Sequence, residues 1–198
     1  MAETADQAVA IARQIGYPVV LKIASPDILH KTDVGGVKVG LQNAEDVRDA
    51  FELMIYRAQR YLPKACLWGC LVQRMVPLGG LEVLIGMKRD PQFGPLVTFG
   101  LGGIYVETLK DVTFRIAPFS PQEARQVLDE IRARALLDGV RGQPPVDKAA
   151  LVDALLRVGQ LAQDFPAIAE LDINPLVVYP EGAIAIDMRL VLTEEIDQ

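Results

Sequence analysis

Gly16-Tyr17-Pro18-Val19-Val20-Leu21-Lys22-Ile23-Ala24-Ser25-Pro26-Asp27-Ile28-Leu29-His30-Lys31-Thr32-Asp33-Val34-Gly35-Gly36-Val37-Lys38-Val39-Gly40-Leu41 is the stretch on which the reading of this chain turns. A β-branched run reads as a strand from Val19 to Ile23 with a lysine inside it, a polar loop follows, and two adjacent glycines lead into a second strand with another lysine. Ammonium groups and glycine-exposed backbone N–H groups in such a setting suit a polyphosphate. His30, the single histidine of the chain, sits in the loop between the strands. Its two readings are a surface loop residue without a task and an imidazole placed to accept a phosphoryl group.

Working outward, Thr4 and Gln7 form a capping box for a first helix with Ala8, Ile11, Ala12 and Ile15 on its apolar side, stopped at Gly16. Asn43 caps a second helix that buries Val47, Phe51, Met54, Ile55 and Ala58. Strands follow at about Ala65 to Met75 and Leu81 to Met87, so the first half reads helix, strand, strand, helix, strand, strand. The segment Asp90-Pro91-Gln92-Phe93-Gly94-Pro95 punctuates the chain, placing one lobe at 1–90 and a second at 91–198. Leu96 to Phe99 reads as a buried strand running into Gly100-Leu101-Gly102-Gly103, where glycine is too dense for a strand interior. Close approach to a ligand and a bulged turn both account for that density. Ser120-Pro121-Gln122-Glu123 opens a helix that buries Val127, Leu128 and Ile131 and ends near Gly139, and Asp147 caps another with Leu151, Leu155, Val158 and Leu161 along one side.

Near the C-terminus, Asp172 and Asn174 share a face if Asp172 to Tyr179 is extended, because side chains repeat every second residue. A hairpin turned at Pro180-Glu181-Gly182 sets Asp187 opposite Pro175 or Leu176. Three oxygen ligands then gather at one end of the hairpin, which suits a magnesium ion that keeps waters and bridges to phosphates. The same Asp-x-Asn-Pro pattern is also ordinary turn chemistry.

The chain has 198 residues, 51% hydrophobic and 23% charged, which fits a globular protein with one sizeable core or two small lobes. The net charge of −6 argues against a nucleic-acid surface, so an anionic ligand must be held by local lysines and amides. No run of about 18 apolar residues suggests a membrane span, and the first residues lack a secretory pattern. A cytoplasmic protein is expected. Cys66 and Cys70 are the only cysteines, too few for a disulfide framework, and both read as buried thiols.

Four ordered blocks carry a family resemblance: Gly16 to Lys22, Ser25 to Val37, Asp90 to Pro95 with Gly100 to Gly103, and Leu171-Asp172-Ile173-Asn174-Pro175-Leu176. Over nearly its whole length the chain resembles the ATP-grasp (β) subunit or domain of ADP-forming acyl-CoA synthetases, of the acetate–CoA ligase type. It is more distantly similar to the nucleotide-binding subunit of succinyl-CoA synthetase. The resemblance implies an α+β, ATP-grasp fold of two α+β lobes with a nucleotide cleft between them, the first lobe lacking an opening helix and strand. It implies that Lys22 contacts nucleotide phosphates and that the Gly35-Gly36 turn closes over them. Asn174 and Asp187, with Asp172 beside them, would hold Mg2+. Adenine of ATP or ADP would rest on the backbone around Val72, Gln73 and Met75, with Glu82 a polar contact.

His30 matches the histidine that carries phosphate between two distant sites in that family. The implied reaction is acyl-CoA plus ADP plus phosphate in balance with acid, CoA and ATP. A CoA-binding α subunit or fused α domain would make the acyl phosphate, and acyl-CoA would be reached only through that partner. The alternative, different in class, is a regulatory nucleotide-binding region like those fused to some protein lysine acetyltransferases; His30, Lys22, Asn174 and Asp187 together favour catalysis.

Overall fold

The computed structural model describes residues 1–28, 31–32, 34–102 and 111–193. His30 and Gly103 lie outside the described residues. The chain divides into two compact units, Met1–Pro77 and Leu78–Gln198.

The first unit runs α1 (Ala5–Ile15), β1 (Val19–Ala24), β2 (Val37–Leu41), α2 (Ala44–Tyr61) and β3 (Gly69–Arg74). Thr4 accepts the Gln7 amide at 3.3 Å and Asn43 accepts the Glu45 and Asp46 amides at 2.9 and 3.0 Å, so both helices start where their caps dictate. The strands form an antiparallel sheet in the order β2-β1-β3. Val19, Leu21 and Ile23 of β1 pack with Val9 and Ala12 of α1, and with Val47, Phe51, Met54 and Ala58 of α2. By alternation, Val20 and Lys22 point to the other face. β3 begins at Gly69 rather than near Ala65, and Ile55 is only partly buried.

The second unit contains β4 (Leu81–Asp90), β5 (Gly94–Leu101), β6 (Val112–Ile116), α3 (Pro121–Glu130), α4 (Lys148–Asp164), β7 (Ile168–Val178), β8 (Ala183–Ala185) and β9 (Met188–Leu192). Its sheet has the order β6-β5-β4-β7, and β7 pairs further with β8 and then β9. Val83, Ile85 and Met87 of β4, Val97 and Phe99 of β5, and Leu171 and Val178 of β7 form one core with Val127, Leu128, Leu151 and Leu155 of the two helices. That core places α3 and α4 on one sheet face and leaves the even-numbered residues of β4 on the other.

Four expectations need correction. The units part after Pro77 and not after residue 90, because β4 pairs with β5 and β7 instead of joining the first sheet. The helix expected to reach Gly139 stops at Glu130, where both carboxylate oxygens of Asp111 accept the Arg132 and Ala133 amides at 2.8 Å; a single 3-10 turn (Arg134–Leu136) follows. Gly100 and Gly102 crowd the protein's own backbone. A Cβ on Gly100 would meet the Asp111 carbonyl at 2.8 Å, and one on Gly102 the Glu82 carbonyl carbon at 3.0 Å, so the protein's own neighbouring backbone is enough to require glycine at both. Cys70 is buried, its thiol pushed up to about 12 by that burial, but Cys66 is exposed. Among the described residues no helix is long and apolar enough to cross a membrane.

Candidate functional site

In the first unit the chemistry gathers on the sheet face that carries no helix. Lys22 lies mid-strand, opposite Val37 of β2 and Leu71 of β3, and is only 6% exposed. A lysine so buried keeps its stem against apolar neighbours and delivers its charge at a defined place. Gln73 pairs with Val20, two positions from Lys22, and therefore shares this face. Val72 pairs with Leu21 and its side chain belongs to the core. Its backbone differs. Ile23 donates its amide to Gly36 at 2.8 Å on the β2 side, and Ala24 accepts the Trp68 amide on the β3 side. Alternation along the antiparallel ladder then turns the N–H and C=O of Val72 away from β1, to the sheet edge. The Met75 amide is donated to Pro18 at 3.2 Å.

Gly35 and Gly36 make the turn into β2. Gly35 has φ +66°, a conformation glycine adopts without the cost a Cβ brings. Gly36 is required for space, since a Cβ there would stand 2.6 Å from Cγ2 of Ile23 and 2.8 Å from the Lys31 carbonyl oxygen. The expected pair of free N–H groups is absent: Gly35 donates to Thr32 at 3.0 Å and Gly36 to Lys31 at 2.7 Å. The pair supplies a tight turn against β1, beside Lys22, instead of an anion nest.

In the second unit Asp172, Asn174 and Asp187 meet on the β7–β9 ladder. Asp172 pairs with Arg189 and Ile173 with Met188, and the Asn174 amide donates to the Asp187 carbonyl at 3.1 Å. Asp187 therefore stands opposite Asn174 itself, not opposite Pro175 or Leu176. Directly opposed residues share a face, so Asp172, Asn174, Asp187 and Arg189 project together. Asp172 also pairs with Gly86 of β4, which puts the group on the sheet face away from α3 and α4, the face that Glu82 shares. Packing desolvates the Asp172 carboxyl enough to raise its pKa; Asp187 adds to the rise and Arg189 opposes it. That coupling places the carboxylates of Asp172 and Asp187 within electrostatic reach of one another.

No group of three or more His, Cys, Asp or Glu residues that could hold a metal occurs among the described residues. Two carboxylates and an amide oxygen are nonetheless the donor set that magnesium takes while it keeps several waters. The donor chemistry fits that ion. Arg189 escaped the sequence reading although Asp187 and Arg189 have the same two-residue spacing that made Asp172 and Asn174 visible.

Residues 1–192 match the family model of the ATP-grasp domain. The β subunit of acetate–CoA ligase (ADP-forming) I from Pyrococcus furiosus is 50% identical over 192 residues, 97% of this chain and 82% of that protein. Acetate–CoA ligase (ADP-forming) I from Archaeoglobus fulgidus is 49% identical over 99% of this chain, which spans only 28% of that protein. Among solved structures, the dinucleotide-forming acetyl-coenzyme A synthetase 1 of Ca. Korarchaeum cryptofilum in complex with coenzyme A, Ca-AMPCP and HgCl+ superimposes with a TM-score of 0.94 at 48% identity, covering 98% of this chain and 84% of that one. The same synthetase with coenzyme A and Mg-AMPPCP, its phosphohistidine segment pointing towards the nucleotide binding site, gives a TM-score of 0.84 at 46% identity, with 95% and 82% covered.

Proposed function

The chain belongs to the ATP-grasp domain family, and from that premise we propose that it is the nucleotide-binding half of an ADP-forming acetate–CoA ligase. The observation that carries this reading is the face shared by Asp172, Asn174 and Asp187 on the β7–β9 ladder, a magnesium-type donor set in a chain that also buries a lysine on the sheet face opposite its helices. The Lys22 ammonium meets the phosphates of ADP or ATP. The Gly35-Gly36 turn holds the start of β2 beside it. Asn174 and Asp187 hold Mg2+ with Asp172 adjacent, and the ion when bound neutralises charge on the phosphate oxygens. Adenine takes the edge N–H and C=O of Val72, with Gln73 and Met75 beside it.

His30 is the phosphoryl carrier. In the direction of ATP synthesis, a terminal oxygen of the ADP β-phosphate attacks the phosphorus on the imidazole. The N–P bond breaks as the new P–O bond forms, and the nitrogen keeps the electron pair. The unprotonated imidazole nitrogen can then be recharged, whether from acyl phosphate or from ATP. The phosphoryl group reaches His30 from a CoA-binding α subunit or fused domain, where acetyl-CoA reacts with phosphate. The relatives named above are ligases, which favours this catalytic reading over a regulatory region of an acetyltransferase.

The test is His30→Ala combined with the CoA-binding partner, acetyl-CoA, phosphate and ADP. ATP formation is abolished while ADP affinity by calorimetry stays within about twofold, since the imidazole contributes to transfer and not to ground-state binding. Full synthetase activity of this variant would overturn the proposal.

A further inference from the structure

Arg189 shares a sheet face with Asp172, Asn174 and Asp187, and the phosphate chemistry proposed above does not use it. It stands directly opposite Asp172 on the β7–β9 ladder and two residues beyond Asp187 in the chain. Opposed residues have Cα atoms about 4.5–5.5 Å apart and next neighbours on one face of a strand about 6.5–7 Å, so the four positions mark the corners of one small patch. Asp187 and Asn174 form one end of it, Arg189 and Asp172 the other.

The ordinary role for such an arginine is counter-ion to Asp172, and the packing runs against it. Oδ1 of Asp172 lies 4.0 Å from where a Cβ on Gly86 would stand, and Gly86 belongs to β4, on the far side of β7 from β9. The Asp172 carboxylate therefore leans over the bare backbone of Gly86 and away from Arg189. Among the described residues Arg189 enters no ion pair, whereas at the next pair along the same face Lys88 is bound to Glu170 at 3.1 Å. The row that runs from Arg189 through Asp172, Gly86, Thr98 and Phe114 holds no other cation. Arg189 is also exposed, so its five donors stand ready for a ligand that arrives from solvent.

A magnesium ion held by two or three protein oxygens keeps waters and bridges to phosphate. Phosphate oxygens that do not face the ion still carry charge, and the planar fork of an arginine offers two parallel N–H groups to such a pair. Resting on the function proposed above, we infer that Arg189 contacts the β-phosphate of ADP, at the end of the patch next to the donors Asn174 and Asp187. Gly86 leaves the middle of the patch without a side chain, which gives that phosphate room to sit between the two ends.

Calorimetry on the full chain with ADP and with AMP, at saturating magnesium, isolates the contact. AMP ends at the α-phosphate and is measured by its displacement of ADP. Arg189→Ala weakens ADP about tenfold or more, the size of a lost charge-assisted hydrogen-bond pair, and leaves AMP within about twofold of the parent. Arg189→Lys keeps the charge without the fork and recovers part of the loss. A counter-ion role moves a different readout. With the cation gone, Asp172 and Asp187 attract magnesium more strongly, so less of the ion gives half-maximal enhancement of ADP binding, while ADP affinity at saturating magnesium stays parental. That outcome overturns the inference, as does an equal loss for ADP and AMP. If the parent chain binds no ADP, or binds it no better with magnesium than without, the function reading fails instead, and this inference goes with it.

Discussion

Replacing Gly36 by Ala tests whether the turn into β2 is held against the strand that bears Lys22. The new methyl carbon would lie 2.6 Å from Cγ2 of Ile23 and 2.8 Å from the Lys31 carbonyl oxygen, where carbon contacts are comfortable only at about 3.5 to 4 Å. Neither neighbour can retreat cheaply. Ile23 is 1% exposed within the core of the first unit, and the Lys31 oxygen is fixed by the Gly36 amide at 2.7 Å. Relief requires the turn to lift from β1, which breaks the bond from the Ile23 amide to the Gly36 oxygen at 2.8 Å. Overpacking costs about 1–3 kcal/mol and the lost bond about 1 more, so a loss of about 2–4 kcal/mol follows. Gly40→Ala is the control: φ is +74° there but nothing lies within 4 Å of its Cβ, so only the left-handed backbone cost of about 1–2 kcal/mol applies. Urea unfolding followed by the fluorescence of Trp68, the single tryptophan, reads the first unit alone. A Gly36→Ala variant no less stable than Gly40→Ala would refute the packing argument. It would also remove the reason for treating Gly36 and Lys22 as neighbours in one rigid element.

Lys22→Met keeps the buried stem and removes the ammonium; ADP affinity by calorimetry should fall by about tenfold or more, as for a lost charge-assisted contact, with the far-ultraviolet circular dichroism unchanged. Asp187→Ala and Asn174→Ala should each abolish most of the gain in ADP affinity that magnesium confers and leave the magnesium-free affinity alone; loss of affinity in the absence of the ion would count against the assigned donor set. Glu130 is held below its ordinary 4.5 first by its hydrogen bond from Arg115 and then by that from Thr113. A depressed carboxyl stabilises the fold above the unfolded-state pKa and loses that contribution as pH falls through the folded value, so acid unfolding monitored below about pH 4.5 should be less steep in Glu130→Gln than in the parent.

What could be read from the chain follows the range of the interaction that decides each feature. Caps and alternation are local, and Thr4, Asn43, Ser120 and Asp147 start their helices where the residues say they should. The shared face of Asp172 and Asn174 is local too, and a two-residue spacing was enough to see it. The register of Asp187 was missed by one or two positions because it depends on how the chain turns at the tip. There the Tyr179 amide donates to Gly182 at 3.0 Å, and Asp147, from another element, accepts the Gly182 amide at 2.9 Å. The boundary between units was missed for the same reason in stronger form. The run Leu81–Asp90 looks like the partner of the strand before it, yet its neighbours are a strand that follows at once and another from Ile168 onward. Gly100 and Gly102 mislead in the opposite sense, since the atoms that forbid a side chain belong to Asp111, Val112 and the Glu82–Val83 backbone. Charges obey the same division. A lysine inside an apolar strand announces itself because alternation gives it a face.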